Sequence, residues 1–224
     1  MEFVTHRALP AITVVAAAVA SIVLPLLHSQ TLPVAEAASC PPVEVVFARG
    51  RNEPPGAGLV GDAFVNSLRG KTKKTVGLYA VNYPADTQID MGAADMSRHV
   101  QYMSANCPTT RMVLGGYSLG AAATDLVLAL PVSLFAFTNP LPAGTDQHIA
   151  AVVLFGNGSN WAGPISGFNP IYAGRTIDLC HGDDPICNPS KPSTWTADFQ
   201  DHLQPGYINS GMVAQAASFA AARI

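Results

Sequence analysis

From Val43 onward, short continuous apolar runs alternate with longer segments in which apolar residues recur every three or four positions. The runs VEVVFA from Val43, TVGLYAVNYP from Thr75, RMVLGG from Arg111, HIAAVVLFGNG from His148 and GRTIDLC from Gly174 predict five strands. Helical spacing at Leu59, Phe64 and Leu68 predicts a helix from Gly58. Met91, Met96, Val100 and Met103 predict a second. An alanine-rich helix follows Ser118 and ends near Pro131, and one closing helix is predicted from Pro205 to Ile224. Strands that are apolar almost throughout suit burial on both faces. Strands alternating with helices predict an α/β fold with a central, mostly parallel five-stranded sheet between helical layers. Such sheets carry their sites at the carboxyl ends of the strands.

Composition narrows the picture. Of 224 residues, 49% are hydrophobic and 12% charged, and the net charge is -3. The charged share is about half the usual one. This length suits one domain with a sizeable core. The small net charge argues against a nucleic-acid partner, and KTKK at Lys71 to Lys74, the densest basic cluster, reads as a solvated loop.

The N-terminus differs from the rest. Arg7 precedes an apolar stretch from Ala8 to Leu27, and Ala35 and Ala37 then supply an A-x-A spacing. This predicts a secretory signal peptide over residues 1–37, cleaved near Ala37, and an exported domain over 38–224. Pro10 and Pro25 bracket the apolar stretch and leave it short for a membrane span. The expected location is extracellular or associated with the cell envelope.

Export gives the cysteines a meaning. All four, Cys40, Cys107, Cys180 and Cys187, lie in the predicted mature chain, and an even number in an oxidising compartment favours two disulfides. Cys180 and Cys187 bracket the short loop HGDDPI and are expected to pair, which leaves Cys40 with Cys107. No cysteine pair has finger-like spacing with matched histidines, so no metal is expected.

Within RMVLGGYSLGAAATDLVLAL, from Arg111 to Leu130, a polar serine interrupts a core-like segment. Gly116 and Gly120 flank Ser118, with a strand running in and a small-residue helix running out. That is the G-x-S-x-G turn that raises a nucleophile above a sheet. Such a serine needs a base, and the base needs an orienting acid, in the chain order Ser, acid, His. His148, His181 and His202 follow Ser118. His148 begins a strand, on the far side of the sheet from the serine turn, and His181 sits inside the small cysteine loop. His202, ahead of the last helix, is the expected base. Asp183 and Asp184 lie in the stapled loop, and spacing alone does not separate them.

FARGRNE at Phe47, GGYSLG at Gly115, VVLFG at Val152, CHGDDPIC at Cys180 and DHLQ at Asp201 together resemble the cutinase family, in particular its secreted bacterial members. The motifs come in the family's order and cover most of the predicted mature chain. The resemblance implies a three-layer α/β-hydrolase fold with two disulfides and no full lid. It also implies a Ser118, Asp184, His202 triad, with the cysteine-bounded pattern C-x3-D-x2-C selecting Asp184. Leu119 stands where the family usually has glutamine, and Arg51 where it usually has Ser or Thr. Their backbone N–H groups are the expected oxyanion hole, which loses a hydroxyl donor at Arg51. The guanidinium of Arg51 would favour an anionic head group.

The expected activity is hydrolysis of carboxylic esters of short to medium acyl chains through an acyl-enzyme, without a cofactor. The expected partners are a small-molecule or lipid ester and, transiently, a lipid interface, and the protein is expected to be a monomer. A phospholipase or thioesterase would use the same triad. A catalytically weak lipid-binding or surface protein is the alternative outside the enzymes. Tyr83, Pro84, Ile186, Trp195 and Leu203 are candidates for an acyl groove, and the proline-rich segment from Cys187 to His202 for a mobile flap.

Overall fold

The computed structural model describes residues 40–129, 132–133, 136–188 and 195–224, with only the backbone described for 195–197. Strands β1 (Val43–Ala48), β2 (Val76–Ala80), β3 (Arg111–Tyr117), β4 (Ile149–Phe155) and β5 (Thr176–Leu179) form one sheet in the order β2-β1-β3-β4-β5. Every pairing is parallel. The apolar runs of β1, β3 and β4 are buried almost without a break because helices cover both faces.

Residues of β1 sort by the two-residue period of a strand. Val43, Val45 and Phe47 join one core with α1 (Gly58–Arg69) and α7 (Met212–Ala221). Val46 and Ala48 join the other with α2 (Ile89–Asn106) and α3 (Leu119–Ala129). In the first core, the rings of Phe47, Phe64 and Phe155 meet at centroid distances of 6.2–6.4 Å. Fully burying one such side chain contributes roughly 1.5–3 kcal/mol. The disulfides are Cys40–Cys107 and Cys180–Cys187.

Several elements differ from the pattern read in the sequence. The buried face of α1 runs through Val60, Phe64 and Leu68, and Leu59 is exposed. Helix α2 starts two residues earlier than Met91, which is itself exposed. The expected closing helix is two helices, α6 (Gln204–Asn209) and α7. Between them Gly211 has φ +88°, a conformation that no α-helix continues. The chain after β4 holds a short helix, α4 (Ile165–Phe168), that no periodicity announced. Residues 189–194 of the expected flap lie outside the described residues. The stretch that follows is a helix, α5 (Trp195–His202). Among the described residues, no helix is long and apolar enough to cross a membrane.

Candidate active site

Ser118 occupies the turn between β3 and α3 with φ +56°, a left-handed conformation that costs a residue with a side chain on the order of 1–3 kcal/mol. Its surroundings over-determine it. The Ser118 N–H donates to the Phe155 carbonyl at 2.8 Å, and its own carbonyl accepts from the N–H groups of Ala121, Ala122 and Gly158. The carbonyl thus faces into α3, and backbone bonds to the end of β4 and to the first turn of α3 hold the turn.

The Ser118 Oγ lies 2.8 Å from His202 Nε2, and His202 Nδ1 lies 2.7 Å from Asp184 Oδ2. Of the two adjacent aspartates, Asp184 is wholly buried and Asp183 is exposed. Burial alone would raise the proton affinity of Asp184. The hydrogen bonds from His202, Tyr207 and the Ile186 N–H outweigh it and hold the carboxyl below the usual range. His202 is the last residue of α5 and is 6% exposed. Its ring stacks on Tyr117 at 5.4 Å, and the Tyr117 hydroxyl donates to the His202 carbonyl.

The other two histidines that follow Ser118 lie away from it. His181 Nδ1 meets the Asp201 carbonyl at 3.1 Å. His148 ends a 3-10 turn ahead of β4, at the amino ends of the strands, whereas Ser118 follows the carboxyl end of β3.

Beside Ser118 runs the segment after β1. Arg49 is 4% exposed, and its guanidinium is spent on three carbonyls, those of Glu53, Val81 and Tyr83. Tyr83 returns a hydrogen bond from its hydroxyl to the Arg49 carbonyl at 2.5 Å. Tyr83 is therefore part of a buried clamp rather than a groove wall. The Glu53 carboxylate accepts from the Gly50 N–H at 2.6 Å and from the Leu59 N–H at 3.0 Å. Gly50 is thereby occupied. Among the described residues, the N–H groups of Arg51 and Leu119 meet no protein acceptor. Arg51 is exposed, and its guanidinium has no ion-pair partner among the described residues.

An apolar cavity of about 370 Å³ opens next to the serine turn. Ala122, Leu126 and Ala129 wall it from one face of α3, and Trp161, Ile165 and Phe168 from the chain after β4. Gly158, which donates to the Ser118 carbonyl, lies in its wall. Tyr83, Pro84, Ile186 and Leu203, four of the groove candidates read from the sequence, are not among its walls. Pro84 is exposed, and Ile186 and Leu203 are half-buried. The Trp195 side chain lies outside the described residues.

Arg49 and Glu53 stood inside the FARGRNE motif without a role. Tyr117 and Tyr207 carried no signal, because a tyrosine at a core position of a strand or helix is ordinary packing. Among the described residues, no group of three or more His, Cys, Asp or Glu side chains is placed to hold a metal ion. The arrangement can move a proton from a serine hydroxyl to an imidazole backed by a buried carboxylate, with two free N–H groups in the flanking segments.

The cutinase family profile matches residues 39–224. The chain is 63% identical over 187 residues to "Probable carboxylesterase Culp2" of Mycobacterium tuberculosis, covering 84% of this chain and 81% of that one. It is 49% identical over 216 residues to "Phospholipase Culp4" of the same organism, covering 95% and 91%. The solved structure of Trichoderma reesei cutinase in complex with a phosphonate inhibitor superposes with a TM-score of 0.58. It has 30% sequence identity and covers 81% of this chain and 75% of that one. On the matched profile and on these relatives, the chain belongs to the cutinase family.

Proposed function

We propose that this protein is a secreted serine esterase that hydrolyses carboxylic esters of short to medium acyl chains, with Ser118 as nucleophile, His202 as base and Asp184 as its orienting acid. The observation that carries the reading is the continuous chain Ser118–His202–Asp184, at 2.8 and 2.7 Å, below a serine held at positive φ. The carboxylesterase names of the relatives support the same chemistry. Residues 1–37 serve as the export signal.

Ser118 Oγ attacks the ester carbonyl carbon while His202 Nε2 takes its proton. The negative charge that develops on the carbonyl oxygen is received by the N–H groups of Leu119 and Arg51. The tetrahedral intermediate then collapses. The alcohol leaves with the proton from His202, and the acyl group stays on Ser118. Water attacks the acyl-enzyme and passes its proton to His202, and His202 returns that proton to Ser118 as the acid departs. Protonation of His202 removes the base, so turnover falls in acid.

The apolar cavity beside Ser118 is the acyl site in this reading. Its volume equals about a dozen waters at roughly 30 Å³ each, and a methylene needs a similar volume, so a medium chain fits. Trp161 and Phe168, which stand exposed in its wall, supply the transient contact with a lipid surface.

A phospholipase is the second reading. It is favoured by one relative's name and by the exposed guanidinium of Arg51, which has no ion-pair partner among the described residues, beside the proposed oxyanion site.

The test is hydrolysis of p-nitrophenyl esters from two to sixteen carbons by wild type and Ser118→Ala, together with covalent capture by a fluorophosphonate. Serine-dependent turnover that peaks at short or medium chains, with labelling lost in the variant, is the expected result. No turnover and no labelling would return the protein to the lipid-binding alternative.

A further inference from the structure

The Asp184 carboxylate holds more than the imidazole. The Tyr207 hydroxyl donates to Oδ2, the same oxygen that faces His202 Nδ1 at 2.7 Å, while Oδ1 accepts from the Ile186 N–H at 2.8 Å. Tyr207 is wholly buried, so no water replaces that donor. Its ring is fixed edge-on against Phe155 and Tyr117 at centroid distances of 6.3 and 5.6 Å. The hydroxyl oxygen in turn accepts from the His181 N–H at 3.2 Å and lies 3.3 Å from Cys187 Sγ. One side chain of α6 therefore ties the acid, both ends of its disulfide loop and the helix that follows the base.

The fold keeps a slot for this hydroxyl. Gly156, at the end of β4, has φ +55°, and a Cβ there would stand 2.8 Å from the Tyr207 oxygen and 3.2 Å from Asp184 Oδ2. Any other residue at 156 would close the space in which acid and phenol meet.

We infer that Tyr207 is a positioning residue of the active site, whose hydroxyl shares Asp184 Oδ2 with His202 and so sets the orientation and strength of the acid. The inference deepens the esterase reading and rests on it. A phenol donating to Oδ2 draws off part of the negative charge that would otherwise bear on the imidazolium. It also keeps the carboxylate from turning its free lone pairs toward other donors. The other ionisable groups around this centre are His181 with Asp201 on the loop side, Tyr117 from β3, and Glu53, which bears on Tyr117.

The experiment is Tyr207→Phe, which keeps the ring and removes only the hydroxyl. Tyr172→Phe, another buried tyrosine, is the control. The expected result is a kcat about tenfold lower with KM unchanged, because the carboxylate loses the donor that fixes its orientation toward His202 and the base is then misplaced. The acid limb of the kcat/KM profile should move to higher pH by about half a unit, because the imidazolium then faces a fuller negative charge. The low-field proton signal of the His202–Asp184 hydrogen bond should move in the same variant and stay in place in Tyr172→Phe.

A Tyr207→Phe enzyme with lower thermal stability but an unchanged pH profile and proton signal would overturn the inference and leave Tyr207 a packing residue. Ser118→Ala in the same assay separates the two levels. Activity that survives Ser118→Ala overturns the esterase reading itself. Activity lost in Ser118→Ala but unchanged in Tyr207→Phe overturns only the role of Tyr207.

Discussion

The Cβ that Gly120 lacks would stand 2.0 Å from the carbonyl oxygen of Ala48 and 2.5 Å from that of Arg49. Those atoms are backbone and cannot swing aside. Close approach of α3 to the end of β1 is what sets the Arg49–Glu53 segment beside the Ser118 turn. Gly120→Ala must therefore push helix and strand apart. The expected loss is on the order of 3 kcal/mol, equivalent to a fall in Tm of roughly 6–12 °C, with activity on every ester reduced. Thermal denaturation and a p-nitrophenyl butyrate assay check both effects together.

The two disulfides should separate stability from activity. Cys40–Cys107 joins residues 67 apart, and Cys180–Cys187 joins residues 7 apart around Asp184. In the chain-entropy treatment the long closure contributes about 4 kcal/mol and the short one about 2.5 kcal/mol. Changing Cys40 and Cys107 to Ser should cost more in denaturation midpoint and leave kcat nearly intact. Changing Cys180 and Cys187 to Ser should cost less stability and lower kcat, because it loosens the loop that presents Asp184 to His202. Equal loss of kcat in both pairs would contradict the assignment of the short bridge to the site.

Two buried carboxylates give stability opposite dependences on pH. Asp184 is held below the ordinary range, so its contribution is present above about pH 4 and is lost as pH falls through its folded value. Asp125 is 7% exposed, and burial raises its carboxyl to about 6, more than hydrogen bonds from Ser159 and Asn157 lower it. Between the unfolded value of about 3.9 and that folded value, the native state binds more protons than the unfolded one, so stability falls as pH rises. Above it, the charge costs on the order of 2–3 kcal/mol. Asp125→Asn should gain stability relative to wild type at pH 8 and lose most of that gain at pH 4. Urea denaturation at the two pH values checks the sign.

Leu126 lines the apolar cavity from α3 and is half-buried. Leu126→Trp should fill the space without reaching the catalytic side chains. Acetate and butyrate esters should be turned over much as before, and turnover of octanoate and longer esters should drop at least tenfold, the effect of overpacking by a few heavy atoms. A uniform change across chain lengths would place the acyl chain elsewhere.

The exposed guanidinium of Arg51 should bias the enzyme toward anionic esters. Arg51→Thr should lower the preference for anionic over neutral esters about fivefold, the scale of one screened charge pair. The preference should weaken with added salt in the wild type and not in the variant. Competition between a neutral and a phosphate-bearing ester reads this ratio directly.

The chain's local patterns carried the elements and much of the candidate site. Strand and helix follow from short apolar runs and from recurrences of three and four residues, which depend only on nearby residues. The turn at Ser118 was legible from Gly116 and Gly120, because a tight strand-to-helix corner needs residues without side chains. The pairing of Cys180 with Cys187 follows from the short loop between them. Tertiary structure decided what neighbours in sequence share. Asp183 and Asp184 are adjacent and of the same type, yet successive residues point apart, and only the folded loop turns Asp184 inward to His202. Tyr207 reaches an acid 23 residues earlier, and Arg49 reaches carbonyls more than 30 residues away. The apolar cavity joins α3 to a segment beyond the next strand. Contacts at such separations leave no period in the sequence. They exist only once the sheet has brought the carboxyl ends of its strands together.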